Sequence, residues 1–320
     1  MPKKLQKGDL IDIVSPASPA TVFEIVQIQE YLAQKGFKSR YFLQDQIAVE
    51  NEAQNKFPAT SSKTRYKQLK MAIDAPDSAA IWCTNGGYGS SDLLDFLQKD
   101  EKVAQTKYFI GYSDITALAT FLRQNWGWET IYGPMLRQLS QGRLQKQSEN
   151  AIFELICDEN IQKNLDFYQK FDISSLNDHQ NATGELIGGC VSVLAHDLAT
   201  KNQVDWSGKI LLLEDIEEKG EKLDRVFSQF LRIMIENNSF PKAILFGNFY
   251  QFIKDENLIK NIKIAIEKFI QNISEKNLDI ALFAENNGFI GHSDAILPLI
   301  LGKEVFIDGK ILLQKNDTVL

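Results

Sequence analysis

Ser113 stands in the stretch Tyr108 to Leu122, YFIGYSDITALATFL, between an apolar run and a helical apolar pattern. A serine at a strand-to-helix turn has its hydroxyl exposed for attack on a carbonyl, and the helix N-terminus favours negative charge nearby. Gly111-Tyr112-Ser113 supplies the first half of a G-x-S-x-G turn, with Ile115 where the last glycine would stand. Serine is also a preferred N-cap, so the residue types leave two roles open, nucleophile and helix start.

Four further groups bear on that choice. Asn85 to Ser91, NGGYGSS, offers backbone amides that a ligand can approach closely, as an oxyanion hole or a phosphate cradle requires; a tight turn without a ligand is the other reading. From Gly87 the order Gly-Tyr-Gly-Ser-Ser-Asp lacks the third glycine of G-x-G-x-x-G, which weakens a dinucleotide site. Of three histidines, His179 reads as solvated, His196 as a satisfied structural residue, and His292, after Gly291 in a small-residue loop, as either a general base or a structural residue. Glu214 and Asp215 end the apolar run ILLLED, and strand neighbours face opposite sides, so at most one of them orients His292 while the other faces solvent or a cap. Cys83 is a weaker alternative nucleophile, since it precedes the glycine loop and fits a core position. No H-x-x-x-H, H-E-x-x-H or paired Cys is present, and no metal is expected.

These residues need elements to hold them. DLIDIV, FKSRYFL, AAIWCT and KYFIG read as strands; Val22 to Gly36, RYKQLKMAID, SSDLLDFLQ and DITALATFLRQN read as helices, with Val22, Ile25, Val26, Ile28 and Leu32 as the apolar face of the first and Ser90 or Ser91 capping the third. Alternation of strand and helix predicts right-handed crossovers and a mainly parallel sheet, with sites at the carboxyl ends of its strands. Both the glycine loop and Ser113 fall there. Asp158 to Gly184 turns polar and reads as the crossing to a second half. That half holds the strands KILLLED, AILFGNF and DIALFAE, a helix presenting Leu223, Val226, Phe227, Phe230 and Leu231 on one face, an amphipathic helix over Leu258 to Ile273, and a hairpin at EVFIDGKILLQ turning at Asp308-Gly309.

The 320 residues exceed the size at which single cores stop growing, roughly 250 to 300. Two domains are therefore expected: 1–160, carrying Ser113; a linker at 161–183; and 184–320, carrying Glu214 and His292. The formal charge of −7 argues against a nucleic-acid surface, which needs clustered Lys and Arg. Three widely spaced cysteines suit a reducing compartment, and no apolar run reaches membrane-spanning length, so a cytoplasmic protein is expected.

Several motifs in order resemble the LD-carboxypeptidase family of serine peptidases, which includes the microcin C immunity proteins: LQKGDLIDIVSPAS, AAIWCTNGGYGSSDLL, FIGYSDITAL, YGPML, GELIGGCVSVL, ILLLEDIEEKGEKLDRVFSQFL and FIGHSDAILPLILG. The resemblance implies an α/β fold, with a Rossmann-like N-terminal domain on a parallel sheet, related to class I amidotransferases, and a smaller β-rich swivelling C-terminal domain, the site lying between them. It implies Ser113 as nucleophile, His292 as base and Glu214 as the group that orients it. Backbone amides of Asp114, Gly86 and Gly87 become candidates for the oxyanion hole, and Asn85 and Tyr88 candidate substrate contacts. It implies removal of terminal D-alanine from a murein tetrapeptide across an L,D bond, without cofactor, by a homodimer. The immunity branch cleaves peptidyl- or aminoacyl-nucleotides with aromatics for the base, for which Trp126 and Trp128 are candidates if they are not core residues. A non-hydrolytic nucleotide- or muropeptide-binding protein is the third reading. Two departures bear on substrate: Asn85 stands where the family carries Arg, which removes a cation, and the segment after His292 is more apolar than usual, which narrows the substrate range.

Overall fold

The computed structural model describes residues 2–42, 58–157, 168–179, 181–308 and 311–315, which divide into two compact units between Leu165 and Asp166. In the first, β1 (Leu10–Val14), β2 (Lys38–Tyr41), β3 (Ser78–Cys83), β4 (Tyr108–Ile110) and β5 (Thr130–Tyr132) run parallel in the order β5-β4-β3-β1-β2. Ile13 lies between Tyr41 on one side and Trp82 on the other. The apolar runs of β1, β3 and β4 are buried on both faces, as a parallel sheet covered by helices demands.

The helices are α1 (Val22–Gln34), α2 (Ser62–Asp74), α3 (Leu94–Leu97), α4 (Thr116–Phe121), α5 (Leu136–Ser140) and α6 (Lys146–Ile156). Thr21 starts α1 with a capping box: Glu24 N–H donates to Thr21 Oγ1 at 3.2 Å and Thr21 N–H to Glu24 Oε2 at 2.9 Å. Ile25, Ile28 and Leu32 of α1 are buried, whereas Val22 and Val26, expected on the same face, are exposed. The capping role expected of Ser90 or Ser91 is not realised: Gly89, at φ 113°, occupies the N-cap of a 3₁₀ turn over Ser90–Leu93 and α3 follows directly. Trp126 and Trp128 are buried, 6.0 Å apart edge to face, and the Trp128 indole donates to Val103 O at 3.1 Å. They are core residues, not a base platform.

The second unit is a closed seven-stranded barrel in the order β10-β6-β13-β12-β7-β8-β9. Its strands are β6 (Tyr168–Ser175), β7 (Ala182–Cys190), β8 (Ile210–Glu214), β9 (Ala243–Phe246), β10 (Ala281–Glu285), β12 (Glu304–Ile307) and β13 (Ile311–Lys315), with a short β11 (Leu299–Leu301) before β12. β7 through β10 pair in parallel and the remainder antiparallel. The polar stretch expected as a linker contains β6, whose role in the barrel is set by long-range pairing to β10 and β13. The hairpin strands pair as expected, Phe306 opposite Leu313, while Gly309 of the turn lies outside the described residues.

Three helices complete this unit: α7 (Val191–His196), α8 (Gly220–Glu236) and α9 (Glu256–Glu275). Leu223, Phe227, Phe230 and Leu231 of α8 share a core with Ile262, Ile266 and Phe269 of α9 and Leu211, Leu213 and Phe246 of the barrel. Phe227 and Phe269 stack at 4.8 Å between ring centroids. That burial removes large apolar surfaces from water and fixes β8, whose end carries Glu214. Among the described residues no helix is long and apolar enough to cross a membrane.

Candidate active site

β4 delivers the chain to Gly111, Tyr112 and Ser113. Ser113 adopts φ 62°, the left-handed region that costs a residue with a Cβ roughly 1–2 kcal/mol. A 3₁₀ turn over Ser113–Ile115 follows and leads into α4. The N-cap position belongs to Tyr112, in extended backbone and without a side-chain cap, so Ser113 is not the helix cap. It is the strained corner itself. A Cβ at Gly111 would lie 3.0 Å from Ile115 Cγ2, so Ile115 occupies the space that a side chain at Gly111 would need.

The glycine loop follows β3, the strand adjacent to β4. Gly86 presses against the corner: a Cβ there would lie 3.0 Å from Ser113 Cβ and 3.1 Å from its Oγ. Gly87 adopts φ +101°, and a Cβ on it would come within 2.0 Å of Ser18 Oγ. Ser18 N–H donates to Gly86 O at 3.1 Å, and Tyr88 N–H donates to Ser18 Oγ at 3.1 Å. Asn85 is half-buried and Tyr88 exposed at the tip. The far end of the loop is tied to the corner through Asp114, whose buried carboxylate accepts Ser90 N–H at 2.8 Å while the Ser90 hydroxyl donates to Asp114 O. Burial pushes the Asp114 carboxyl up, opposed by the Ser90 donors and the charge of Arg65.

Sequence reasoning passed over Arg65. It lies fully buried on α2, donating Nε to Thr60 O at 3.0 Å, Nη1 to Pro16 O and Gly89 O, and Nη2 to Asp92 Oδ2 at 2.9 Å. Burial lowers its pKa, with Asp92 and Asp114 opposing. The one available signal was an arginine on an otherwise core-facing side of the helix, beside Gln68 and Leu69.

In the second unit β8 ends at Glu214, wholly buried, and His292 follows β10 by a short loop. Glu214 Oε2 accepts the His292 backbone N–H at 2.9 Å and faces His292 Nδ1 at 2.8 Å. A proton on Nδ1 directed to the carboxylate leaves Nε2 as the basic nitrogen. Gly291, at φ +98°, makes this approach possible, since a Cβ there would sit 2.3 Å from Oε2. The loop is pinned by Glu285, which accepts Phe289 N–H at 2.8 Å, and by Asn248 Nδ2, which donates to His292 O at 3.3 Å. Burial works to lower the His292 pKa, but the charge and hydrogen bond of Glu214, with Asp215 and Glu217, outweigh it and leave the pKa raised.

Asp215 points to the other side, as strand alternation requires. It accepts Ser192 N–H at 2.8 Å at the start of α7 and Ile216 N–H at 2.9 Å. Burial, reinforced by the charge of Glu214, pushes its carboxyl up to about 6. Of the remaining candidates, Cys83 is fully buried, and burial drives its thiol well above the ordinary range, against a nucleophilic role. His196 is exposed at the end of α7 instead of satisfied within the core, and His179 Nε2 lies 3.3 Å from Asp279. Among the described residues no group of three His, Cys, Asp or Glu is arranged to hold a metal.

The first unit thus offers a serine at a strained strand-to-helix corner on a Rossmann-like sheet, and the second a carboxylate-held imidazole on a mixed barrel, in a two-domain α/β chain. The chain belongs to the LD-carboxypeptidase family: residues 11–133 match the LD-carboxypeptidase N-terminal domain and residues 183–307 the C-terminal domain. A putative carboxypeptidase of Rickettsia conorii is 31% identical, over 80% of this chain and 76% of the relative. A probable murein peptide carboxypeptidase of Bacillus subtilis is 30% identical, over 71% and 69%. The crystal structure of muramoyltetrapeptide carboxypeptidase from Oxalobacter formigenes shares the fold with a TM-score of 0.74, at 23% identity over 96% of this chain and 99% of that one. The protein is therefore a member of a peptidase family.

Proposed function

We propose that this protein is a serine carboxypeptidase that hydrolyses the L,D peptide bond of a murein tetrapeptide and releases its terminal D-alanine. The observation that carries the reading is the His292 Nδ1 to Glu214 Oε2 contact of 2.8 Å, a candidate histidine held by a buried carboxylate, which supports Nε2 as the basic nitrogen. The names of the Bacillus subtilis and Oxalobacter formigenes proteins support the substrate class.

In this reading His292 Nε2 takes the Ser113 proton as Oγ attacks the scissile carbonyl. The backbone amides of Asp114, Gly86 and Gly87 are the donors for the resulting oxyanion, worth about 3 kcal/mol each where geometry is right. The imidazolium, stabilised by Glu214, returns the proton to the leaving D-alanine amine. Water then attacks the acyl-enzyme with His292 again as base, and Ser113 is regenerated. Asn85 and Tyr88 contact the peptide. The same reading has the enzyme working in the cytoplasm as a homodimer, which light scattering on the purified protein tests.

The decisive experiment is mass spectrometry of L-Ala, D-Glu, diaminopimelate, D-Ala tetrapeptide incubated with the protein and with Ser113→Ala. Loss of one D-alanine with the wild type alone is the expected result. An unchanged peptide with both, or cleavage only of an aminoacyl-nucleotide analogue run in parallel, refutes it.

A further inference from the structure

Two loops meet behind the Ser113 corner, and one buried side chain holds them together. The loop after β1 contributes Pro16 O and Ser18; the loop after β3 contributes Gly86 to Ser90. Arg65 Nη1 donates to both Pro16 O and Gly89 O, and its Nε donates to Thr60 O at 3.0 Å. The fit is close, since a Cβ at Gly89 would lie 2.9 Å from Nη1. A planar guanidinium presents its donors in a fixed fork, so holding these carbonyls at once also fixes their mutual placement, which a lysine ammonium does not. Burial adds to the effect, because a carbonyl left unsatisfied here costs the desolvation of a polar group.

From Gly89 the constraint passes forward to the nucleophile. Ser90 is bound to Asp114 by two hydrogen bonds, and Asp114 follows Ser113 directly. It also passes backward. Ser18, two residues after Pro16, donates its N–H to Gly86 O and accepts Tyr88 N–H. The trans peptide is planar, with C=O and N–H on opposite edges. Anchoring Gly86 O on Ser18 therefore directs Gly87 N–H away from Ser18. Gly86 itself abuts Ser113.

We propose that Arg65 is a positioning residue for catalysis, locking the glycine loop against the β1 loop so that its backbone amides stay in fixed register with Ser113. The proposal rests on the serine carboxypeptidase reading for its kinetic consequence and on the structure alone for its effect on the loop. Arg65 is fully buried and donates to Thr60 O, Pro16 O, Gly89 O and Asp92, so it acts on catalysis through the loop. Its contribution falls on the oxyanion donors, which matter in the transition state and little in the ground state, so its loss lowers kcat and spares KM.

The test is Arg65→Lys, with hydrogen exchange followed by mass spectrometry over the peptide spanning Asn85 to Ser91, and kcat and KM measured on the tetrapeptide. The expected result is faster exchange in that peptide, exchange in β8 and β9 unchanged, and kcat lower by about tenfold or more with KM within about twofold. Unchanged exchange and unchanged kcat in a folded variant overturn the proposal, as does a rise in KM at constant kcat. Should Arg65→Lys not fold, Ser18→Ala takes its place; it removes the hydroxyl that accepts Tyr88 N–H, and the expected result is faster exchange at the loop and a kcat lower by about threefold. No change in either quantity overturns the proposal. If the wild type cleaves no murein peptide, the functional reading falls while the exchange measurement still decides whether Arg65 locks the loop.

Discussion

His292 Nδ1 lies 2.8 Å from Glu214 Oε2, and the same oxygen accepts the His292 backbone N–H at 2.9 Å. One carboxylate oxygen thus fixes both the ring and the chain that carries it, and the imidazole has its tautomer set before any substrate arrives.

The pH profile follows from this pair. In the proposed mechanism the base acts when neutral, so kcat/KM is expected to rise with pH through the His292 pKa, with a midpoint above 6.5 because Glu214, Asp215 and Glu217 together outweigh burial. Glu214→Gln removes the charge; the expected outcome is a midpoint moved toward lower pH and kcat lower by about 10³- to 10⁴-fold. For stability the sign is opposite: the ion pair contributes fully below the unfolded pKa and is lost as pH rises through the folded one. Rate profiles and urea melts at several pH values check both limbs.

Two glycine substitutions separate strain from crowding. Gly291→Ala places a methyl 2.3 Å from Glu214 Oε2 at φ +98°, and we expect loss of activity together with roughly 1–3 kcal/mol of stability. Gly86→Ala meets Ser113 Cβ at 3.0 Å at a backbone angle open to other residues. Activity should fall there with stability lowered by less than about 1 kcal/mol. Thermal melts beside turnover assays distinguish the two.

Ser113 occupies φ 62°. Glycine relieves that angle, so Ser113→Gly is expected to abolish hydrolysis while raising stability by about 1 kcal/mol, measured by urea unfolding. A variant as inactive as expected but less stable than the wild type would show that the corner is not strained.

Asp215, with its carboxyl raised to about 6 from 3.8 by burial and the charge of Glu214, binds a proton more tightly folded than unfolded. Its contribution is fully present below the unfolded pKa and lost as pH rises to about 6, a swing of ~3 kcal/mol at about 1.4 kcal/mol per pH unit. Asp215→Asn keeps an oxygen for only one of the Ser192 and Ile216 amides, which bind different oxygens of the carboxylate, so it lowers stability at all pH values and should flatten the stability curve between pH 4 and 6, as read by denaturant melts across that range.

Much of this was legible in the chain. Apolar runs ending at Cys83, Ile110 and Glu214 are parallel strands whose ends carry the glycine loop, Ser113 and the carboxylate. Periodicity reports burial directly, and strand ends are where such sheets place their loops. Alternation also required Glu214 and Asp215 to face opposite sides, and Asp215 is the one that accepts Ser192 N–H at the start of α7. Other features depend on residues distant in sequence. β6 lies in a polar stretch without periodicity and exists because β10 and β13 offer it backbone partners. Val26 has the spacing of a core residue and is exposed, because spacing along the chain does not say which face of α1 the fold covers.

The sequence by itself determined the strands and helices that frame the site, a serine at a strand-to-helix turn, and that only one of Glu214 and Asp215 can face His292, because these depend on neighbours along the chain. Tertiary structure alone decided that Ser113 is the strained corner and not the helix cap, that Trp126 and Trp128 are interior, and that Arg65 holds two loops 24 and 49 residues away from it. The physical reason is the same in each case: burial and hydrogen-bond geometry depend on what the folded chain brings alongside a residue, and a buried donor is defined by its acceptors.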